Sequence, residues 1–358
     1  MLSEFLENAR FFSSTSLPKT VYFAITNDCN GRCTTCRFPT ANKKRYVAYD
    51  DAVNAFDFLN EHGVRFISIT GGEPFLHPEL PDICKYLHRR GMRVSYIPTN
   101  GIAVTEEIAR ELKDARVNIV GISVDPLNSE EAHRTRTVQS DHATLKRARS
   151  ILEEQGVRTY AGILITKHLS PIKSVIDMVR QIGFDRIVFS YPQIDIRTPY
   201  RASSAHEMLF LDATYVAEVV REIKQCKRRF AIYNPDETLS DFERFYTGEP
   251  QLHPCLGGSR LYYLDWNLDL YRCFADPRSY GNILSMEDLP SENNHCTSCT
   301  QQAFREMSYV LAAYDRFHKI KDSLSSLQGN ALLSSLKSGG NWEYLRTLFQ
   351  LYTGGFFS

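Results

Sequence analysis

The chain of 358 residues has no excess of charge: Lys+Arg and Asp+Glu both number 42, for a formal net charge of zero. That removes the electrostatic ground for nucleic acid or an anionic membrane surface as a partner. No apolar run approaches the ~20 residues of a membrane-spanning helix. Residues 1–14 mix polar and aromatic side chains without a basic start and an apolar core, so a secretory signal is lacking too. There is no repeat and no low-complexity tract. GxxxxGKS/T, HExxH and GxSxG are absent, and the ten histidines show no paired ligand spacing. These absences describe a cytosolic globular protein, whose 43% hydrophobic content allows a sizeable core. Cysteine is what it has in quantity. Nine in a cytosolic chain point to metal or redox chemistry rather than to disulfides.

Three of the nine are close together, as Cys29-x3-Cys33-x2-Cys36, just after a β-like segment ending at Ile25. Three thiolates in one short loop can hold three irons of a cubane cluster and leave the fourth without a protein ligand. An iron with an open position is reactive, whereas a fully ligated one mainly carries electrons.

Around this loop the first two-thirds of the chain alternate. Strand patterns fall at Thr20–Ile25, Arg65–Ile69, Arg93–Ile97, Asn118–Val124, Arg158–Ile165 and Arg186–Tyr191. Amphipathic helices are expected at Tyr49–Glu61, Glu79–Arg90, Thr105–Asp114, Ala143–Gln155 and Pro171–Ile182, two of them stopping at Gly91 and Gly156. Such alternation predicts a parallel sheet with right-handed crossovers, curled into a partial barrel with its reactive loops at the C-terminal strand ends. A further helix is expected over Ala205–Phe230, with Lys224, Lys227, Arg228 and Arg229 on a solvated face. Leu261–Asp265 and Leu268–Cys273 flank Trp266-Asn267 as a hairpin, and Gln301 to about Leu351 reads as helical. Cys84 and Cys226 fall in helices and are expected to be core thiols.

The Cys29/Cys33/Cys36 loop after a first strand, followed after the second strand by Gly71-Gly72-Glu73-Pro74, resembles the radical S-adenosylmethionine (SAM) enzymes and their GGEP motif. The resemblance covers roughly residues 18–200. It implies an α/β fold, a partial (β/α)6 TIM-like barrel, and a 4Fe–4S cluster whose open iron chelates SAM. Reductive cleavage would then yield a 5′-deoxyadenosyl radical that abstracts a substrate hydrogen. It also implies a flavodoxin- or ferredoxin-type electron donor. SAM-binding positions carried over are Gly71, Gly72, Glu73, Pro74, Asn100, Ser123, Asp125 and Arg136, the last as a partner of the SAM carboxylate. Lys167, Asp195, Arg197 and Tyr200 are positional guesses near the barrel mouth. Where the family commonly has an aromatic residue before the third cysteine, this chain has Thr35, so the adenine contact passes to Phe38 or to an apolar residue of the fifth or sixth strand.

Cys255, Cys273, Cys296 and Cys299, with Gly257-Gly258 and Gly281-Asn282-Ile283 between them, resemble the SPASM/twitch extensions of the same family. With four cysteines the resemblance implies the twitch version, one fully ligated auxiliary 4Fe–4S cluster. Four cysteines ending in CxxC also suit structural zinc. The expected division is an N-terminal segment 1–17, a radical SAM core 18–204, linking helices 205–250, a twitch-like cluster domain 251–305 and a helical tail 306–358. Tyr262, Tyr263, Trp266 and Tyr271 of the hairpin either line a substrate pocket or pack.

Substrate is less legible. The first expectation is an oxidoreductase or lyase tailoring a small metabolite such as a sugar, cyclitol or nucleoside, since the short N-terminus leaves no room for a leader-peptide-binding domain. The alternative is a maturase of a ribosomal peptide or protein side chain. A third possibility is a non-enzymatic iron–sulfur or zinc scaffold.

Overall fold

A computed structural model of the chain describes residues 18–36, 43–125, 141–169, 171–193, 207–292 and 296–325. Its centre is a ten-stranded sheet in the order β10-β9-β8-β1-β2-β3-β4-β5-β6-β7. Strands β1 (Lys19–Ala24), β2 (Val64–Thr70), β3 (Arg93–Thr99), β4 (Ile119–Ser123), β5 (Arg158–Leu164) and β6 (Arg186–Ser190) follow one another in chain order. Each neighbouring pair is parallel, and a short β7 (Ala231–Ile232) adds to β6 in the same sense.

The connecting helices are α1 (Tyr49–Glu61), α2 (Leu80–Arg89), α3 (Glu106–Asp114), α4 (His142–Glu154) and α5 (Ile172–Ile182). Their limits follow from local chemistry. Thr105 and Asp141 accept hydrogen bonds from Ile108 N and Thr144 N at the starts of α3 and α4. Gly91 and Gly156 sit at φ +72° and +80° just past α2 and α4, where an L side chain would be strained. In α1 the buried residues Ala52, Ala55, Phe56 and Leu59 recur at helical spacing and face the sheet.

Strand periodicity divides the interior in two. On β1, Val21, Phe23 and Ile25 point into the large core shared with α1 to α5. Tyr22 and Ala24 point the other way, into a second core with Tyr263, Phe274 and Phe304. That inner side is covered by a long helix, α8 (Gln302–Ser325): the Tyr22 ring stacks on Phe304 at 5.0 Å, and its hydroxyl donates to Ala303 O at 2.7 Å.

Between barrel and α8 the chain departs from expectation. The helix expected over Ala205–Phe230 is the shorter α6 (Ala213–Cys226), because the Asp212 carboxylate accepts from Tyr215 N at 2.8 Å and fixes the start there. Its cationic face is only partly solvated: Lys224 bonds Ser240, and Lys227 bonds Asn234 O and Asp236 of a further helix, α7 (Asp236–Thr247). Cys84 is fully buried, but Cys226, at the end of α6, is half-buried.

The Trp266-Asn267 hairpin forms as expected from β8 (Leu261–Leu264) and β9 (Asp269–Tyr271), and β10 (Ser279–Asn282) adds a third antiparallel strand. These strands are not a separate sheet. β8 pairs in parallel with β1, so the cysteine-rich region continues the barrel sheet past its first strand. Tyr262, Tyr263 and Tyr271 are buried packing residues, and none of the four hairpin aromatics lines the cavity described below. Among the described residues no helix is long and apolar enough to cross a membrane. Residues 1–17 and 326–358 lie outside the described residues.

Candidate active site

The Cys29–Cys36 loop leaves the C-terminal end of β1 and is tied to the end of β2. Gly72 N donates to Thr26 O at 2.8 Å and Glu73 N to Asp28 O at 2.7 Å. The contact is so close that a Cβ on Gly71 would lie 2.3 Å from Thr26 O, and one on Gly72 2.1 Å from Asp28 O. Gly71 also has φ +140°. The two glycines thus meet the root of the cysteine loop. On the other side Asn27 exchanges hydrogen bonds with Lys43 O and Arg45 N, and Thr26 donates to Arg45 O. Burial pushes the Asp28 carboxyl up, but Lys44 at 2.7 Å and the Tyr46 hydroxyl outweigh that and hold it below the usual carboxylate range.

Glu73 is buried, with three donors around its carboxylate: Thr99 Oγ1 at 2.8 Å, Asn100 N at 2.8 Å and Phe75 N at 3.2 Å. Asn100 Nδ2 reaches on to Asn30 Oδ1 at 2.6 Å, inside the cysteine loop. Glu73 and Asn100 therefore knit the ends of β2 and β3 to the loop. All three cysteines are half-buried. Burial pushes the Cys29 thiol up to about 12, so a free thiolate is unfavourable there and metal ligation would favour it.

Thr35 and Cys36 open on a cavity of about 350 Å³ that runs into the barrel. Ser123 lines it at the end of β4, and Leu164 of β5 and Val188 of β6 supply apolar wall. Deeper in are Tyr22, Tyr96, Tyr160, Tyr191 and, from α8, Glu306. Glu306 Oε1 accepts from Asn234 Nδ2 at 2.7 Å and Tyr191 OH at 3.1 Å, and its Oε2 accepts from Gln302 Nε2 at 2.9 Å. Burial raises this carboxyl to about 7 in spite of those donors.

The second set of cysteines is assembled by backbone. Cys255 and Cys296 form an antiparallel bridge with Cys255 N donating to Cys296 O at 2.9 Å, and Gly257 N donates to Cys255 Sγ at 3.4 Å. Cys299 N donates to Gln251 Oε1 at 3.1 Å. Burial raises the Cys255 and Cys273 thiols. The Cys299 thiol hydrogen bond, with Arg272 and Arg305 nearby, lowers that of Cys296. Behind them Arg305 donates to Cys296 O at 3.2 Å and to the Asp241 carboxylate at 2.7 Å, an ion pair only 3% and 2% exposed at its two ends. Backbone N–H groups aimed at sulfur and flanking cations suit anionic thiolate ligands. Among the described residues no three His, Cys, Asp or Glu side chains gather tightly enough for a single metal ion. A cubane instead puts each thiolate on a different iron.

Of the positions expected to meet SAM, Gly71, Gly72, Glu73 and Asn100 touch the cysteine loop, Ser123 shares a cavity with Cys36, and Asp125 lies two residues past β4. Pro74 starts a buried 3-10 turn. Arg136, Phe38, Asp195, Arg197 and Tyr200 lie outside the described residues. Lys167 is paired with Glu207 at 3.2 Å, next to a turn whose Leu209 reaches the cavity. Glu306 was not anticipated. Its signal in sequence is an acid on the stripe Ala303, Glu306, Met307, Val310, which is otherwise apolar and recurs at helical spacing.

Residues 23–190 match the radical SAM superfamily. That segment, a little under half of the chain, carries both of the family's motifs at the ends of its first two strands, so residues 23–190 form a radical SAM domain, the unit of enzymes that use SAM and a 4Fe–4S cluster. It is 28% identical over 182 residues to the antilisterial bacteriocin subtilosin biosynthesis protein AlbA of Bacillus subtilis, covering 50% of this chain and 40% of that one. It is 26% identical over 181 residues to Fe-coproporphyrin III synthase of Methanosarcina barkeri, covering 50% and 45%. The chain thus spans about half the length of these curated relatives. In fold it is similar to SuiB of Streptococcus suis bound to the precursor peptide SuiA, with TM-score 0.60 and 16% identity over 80% of this chain and 69% of SuiB. It is likewise similar to anSMEcpe with bound AdoMet and the Cp18Cys peptide, with TM-score 0.58 and 15% identity over 95% and 97%.

Proposed function

We propose that this enzyme abstracts a hydrogen from a side chain of a peptide or protein substrate. The observation that carries the reading is one cavity lined both by Cys36 and Ser123, at the SAM end, and by a polar floor at Glu306. Cys29, Cys33 and Cys36 would hold the cluster. When bound, the reduced cluster and SAM supply the 5′-deoxyadenosyl radical. The protein's part is to fix the loop through Gly72, Glu73 and Asn100, to orient SAM along Thr35 and Ser123, and to exclude water with α8. Cys255, Cys273, Cys296 and Cys299 would hold an auxiliary 4Fe–4S cluster. A flavodoxin- or ferredoxin-type protein would deliver the electron.

Sequence alone put a small metabolite first. The peptide reading is supported better, because AlbA takes part in bacteriocin biosynthesis and the two structures of similar fold contain peptides. The likeness to Fe-coproporphyrin III synthase keeps a small-molecule substrate as the second reading. The test is anaerobic reconstitution with SAM and dithionite. 5′-Deoxyadenosine should form with wild type and be absent with Cys33→Ala. Deuterium should then pass into it from a side-chain-deuterated peptide; transfer only from a small metabolite would reverse the order of the two readings.

A further inference from the structure

The deep end of the cavity has a one-sided chemistry. Among the described residues that line it none is Lys, Arg or His, and the sole acid is Glu306. The groups around that carboxyl come from every wall: Tyr22 of β1, Tyr96 of β3, Tyr160 of β5, Tyr191 after β6, Asn234 after β7 and Gln302 of α8. A cation that acts on it is Lys227, just past α6, and it is taken by Asp236 at 2.5 Å and by Asn234 O at 2.6 Å. The four phenols are driven up by burial and stay neutral.

An acid walled by aromatic rings is the chemistry that recognises an ammonium or guanidinium: the ring faces attract a cation, and a carboxylate completes it. An anion entering the same space would meet the Glu306 carboxyl and no described cationic side chain to balance its charge. We propose that Glu306, held by Asn234, Gln302 and Tyr191 among these tyrosines, is the subsite for a cationic group of the substrate, the ammonium or guanidinium of a basic side chain. This rests on the cavity being the substrate chamber. Glu306 ionises as the cation enters, because the carboxyl sits near neutrality and a positive charge beside it favours the charged form.

The test uses the reconstituted holoenzyme with SAM and three matched probes, n-butylammonium, butyramide and butyrate, read by the shift in thermal unfolding. Butylammonium should stabilise the wild type and butyrate should not. Glu306→Gln should weaken the ammonium response by about tenfold or more, while Glu306→Asp, which keeps the charge, should retain part of it. An equal response to butyrate, an ammonium response undiminished in Glu306→Gln, or no ammonium response at any concentration would each overturn the subsite. Iron content and circular dichroism of both variants should match wild type; if Glu306→Gln does not fold, the butylammonium-versus-butyrate contrast in wild type decides alone. 5′-Deoxyadenosine formation in the same preparations reports on the radical reading separately. Ammonium binding without SAM cleavage would leave the subsite standing and sink that reading, and cleavage without ammonium binding would do the reverse.

Discussion

The two groups of cysteines stand in contrasting surroundings. Cys29, Cys33 and Cys36 sit in a half-buried loop beyond the end of β1, held at its root by Gly72, Glu73 and Asn100, and Cys36 faces a cavity. Cys255 is buried in a core with Tyr263, Phe274 and Phe304, half-buried Cys273 and Cys296 pack against it, the buried Arg305–Asp241 pair backs them, Cys299 N is held by Gln251, and none of the four lines that cavity. A loop fixed at its base and open at its face suits a metal that must admit a second ligand. A set packed against a core and away from the cavity suits a cluster that keeps its ligands and passes electrons or braces the fold.

The sharpest way to break this contrast is to remove the open set. A Cys29/Cys33/Cys36 triple-alanine variant should lose all 5′-deoxyadenosine formation and drop from about eight irons to about four, while keeping its thermal transition. Residual SAM cleavage, or loss of all iron, would erase the division of roles. On the packed side, Arg305→Met removes one partner of the Asp241 carboxylate, which keeps the Leu252 and His253 N–H groups and the His253 ring. It should cost about 1.5–3 kcal/mol in denaturant unfolding and lower auxiliary iron; a change near zero would show the pair to be no brace.

Gly72→Ala places a methyl group against backbone that cannot swing away. A cost of about 1–3 kcal/mol should come with poor loading of the SAM-binding cluster and normal loading of the other. The comparison also predicts a pH dependence. The Glu306 carboxyl, buried and raised from 4.5 to about 7, binds its proton more tightly folded than unfolded. Its contribution is complete below 4.5 and is lost as pH rises through 7, so wild-type stability should decline across that window more than that of Glu306→Gln. Parallel pH–stability curves for the two proteins would refute it.

Most of this was legible in the chain because it is local. The six strands and five helices of the barrel announce themselves by apolar period and by glycine and Asx punctuation, and they fall within a residue or two of expectation. The cysteine loop and Gly71–Pro74 were readable from spacing. What escaped depends on contacts between distant parts. That the Glu73 carboxylate accepts from Thr99, Asn100 and Phe75 and so ties β2 to β3 has no signal in the motif that contains it. Glu306 could not be placed in the barrel until α8 was seen across the inner face of β1. The short β7 is two residues long, too short for any periodicity, and the attachment of β8 to β1 has no local signature at all.

That attachment bears on how the protein is made. β1 is an interior strand, hydrogen-bonded on one side to β2 and on the other to β8, and Arg260 beside β8 reaches back to Pro18 O, 242 positions away. At translation rates of ~5–20 residues per second, that edge of β1 waits on the order of 10–50 s for its partner. Throughout that wait Tyr22 lacks α8, and an open row of backbone donors and acceptors can pair with a neighbouring nascent chain. Completing the sheet is therefore a late, high-contact-order step, and a chain released before residue 261 would carry a sticky edge through its middle.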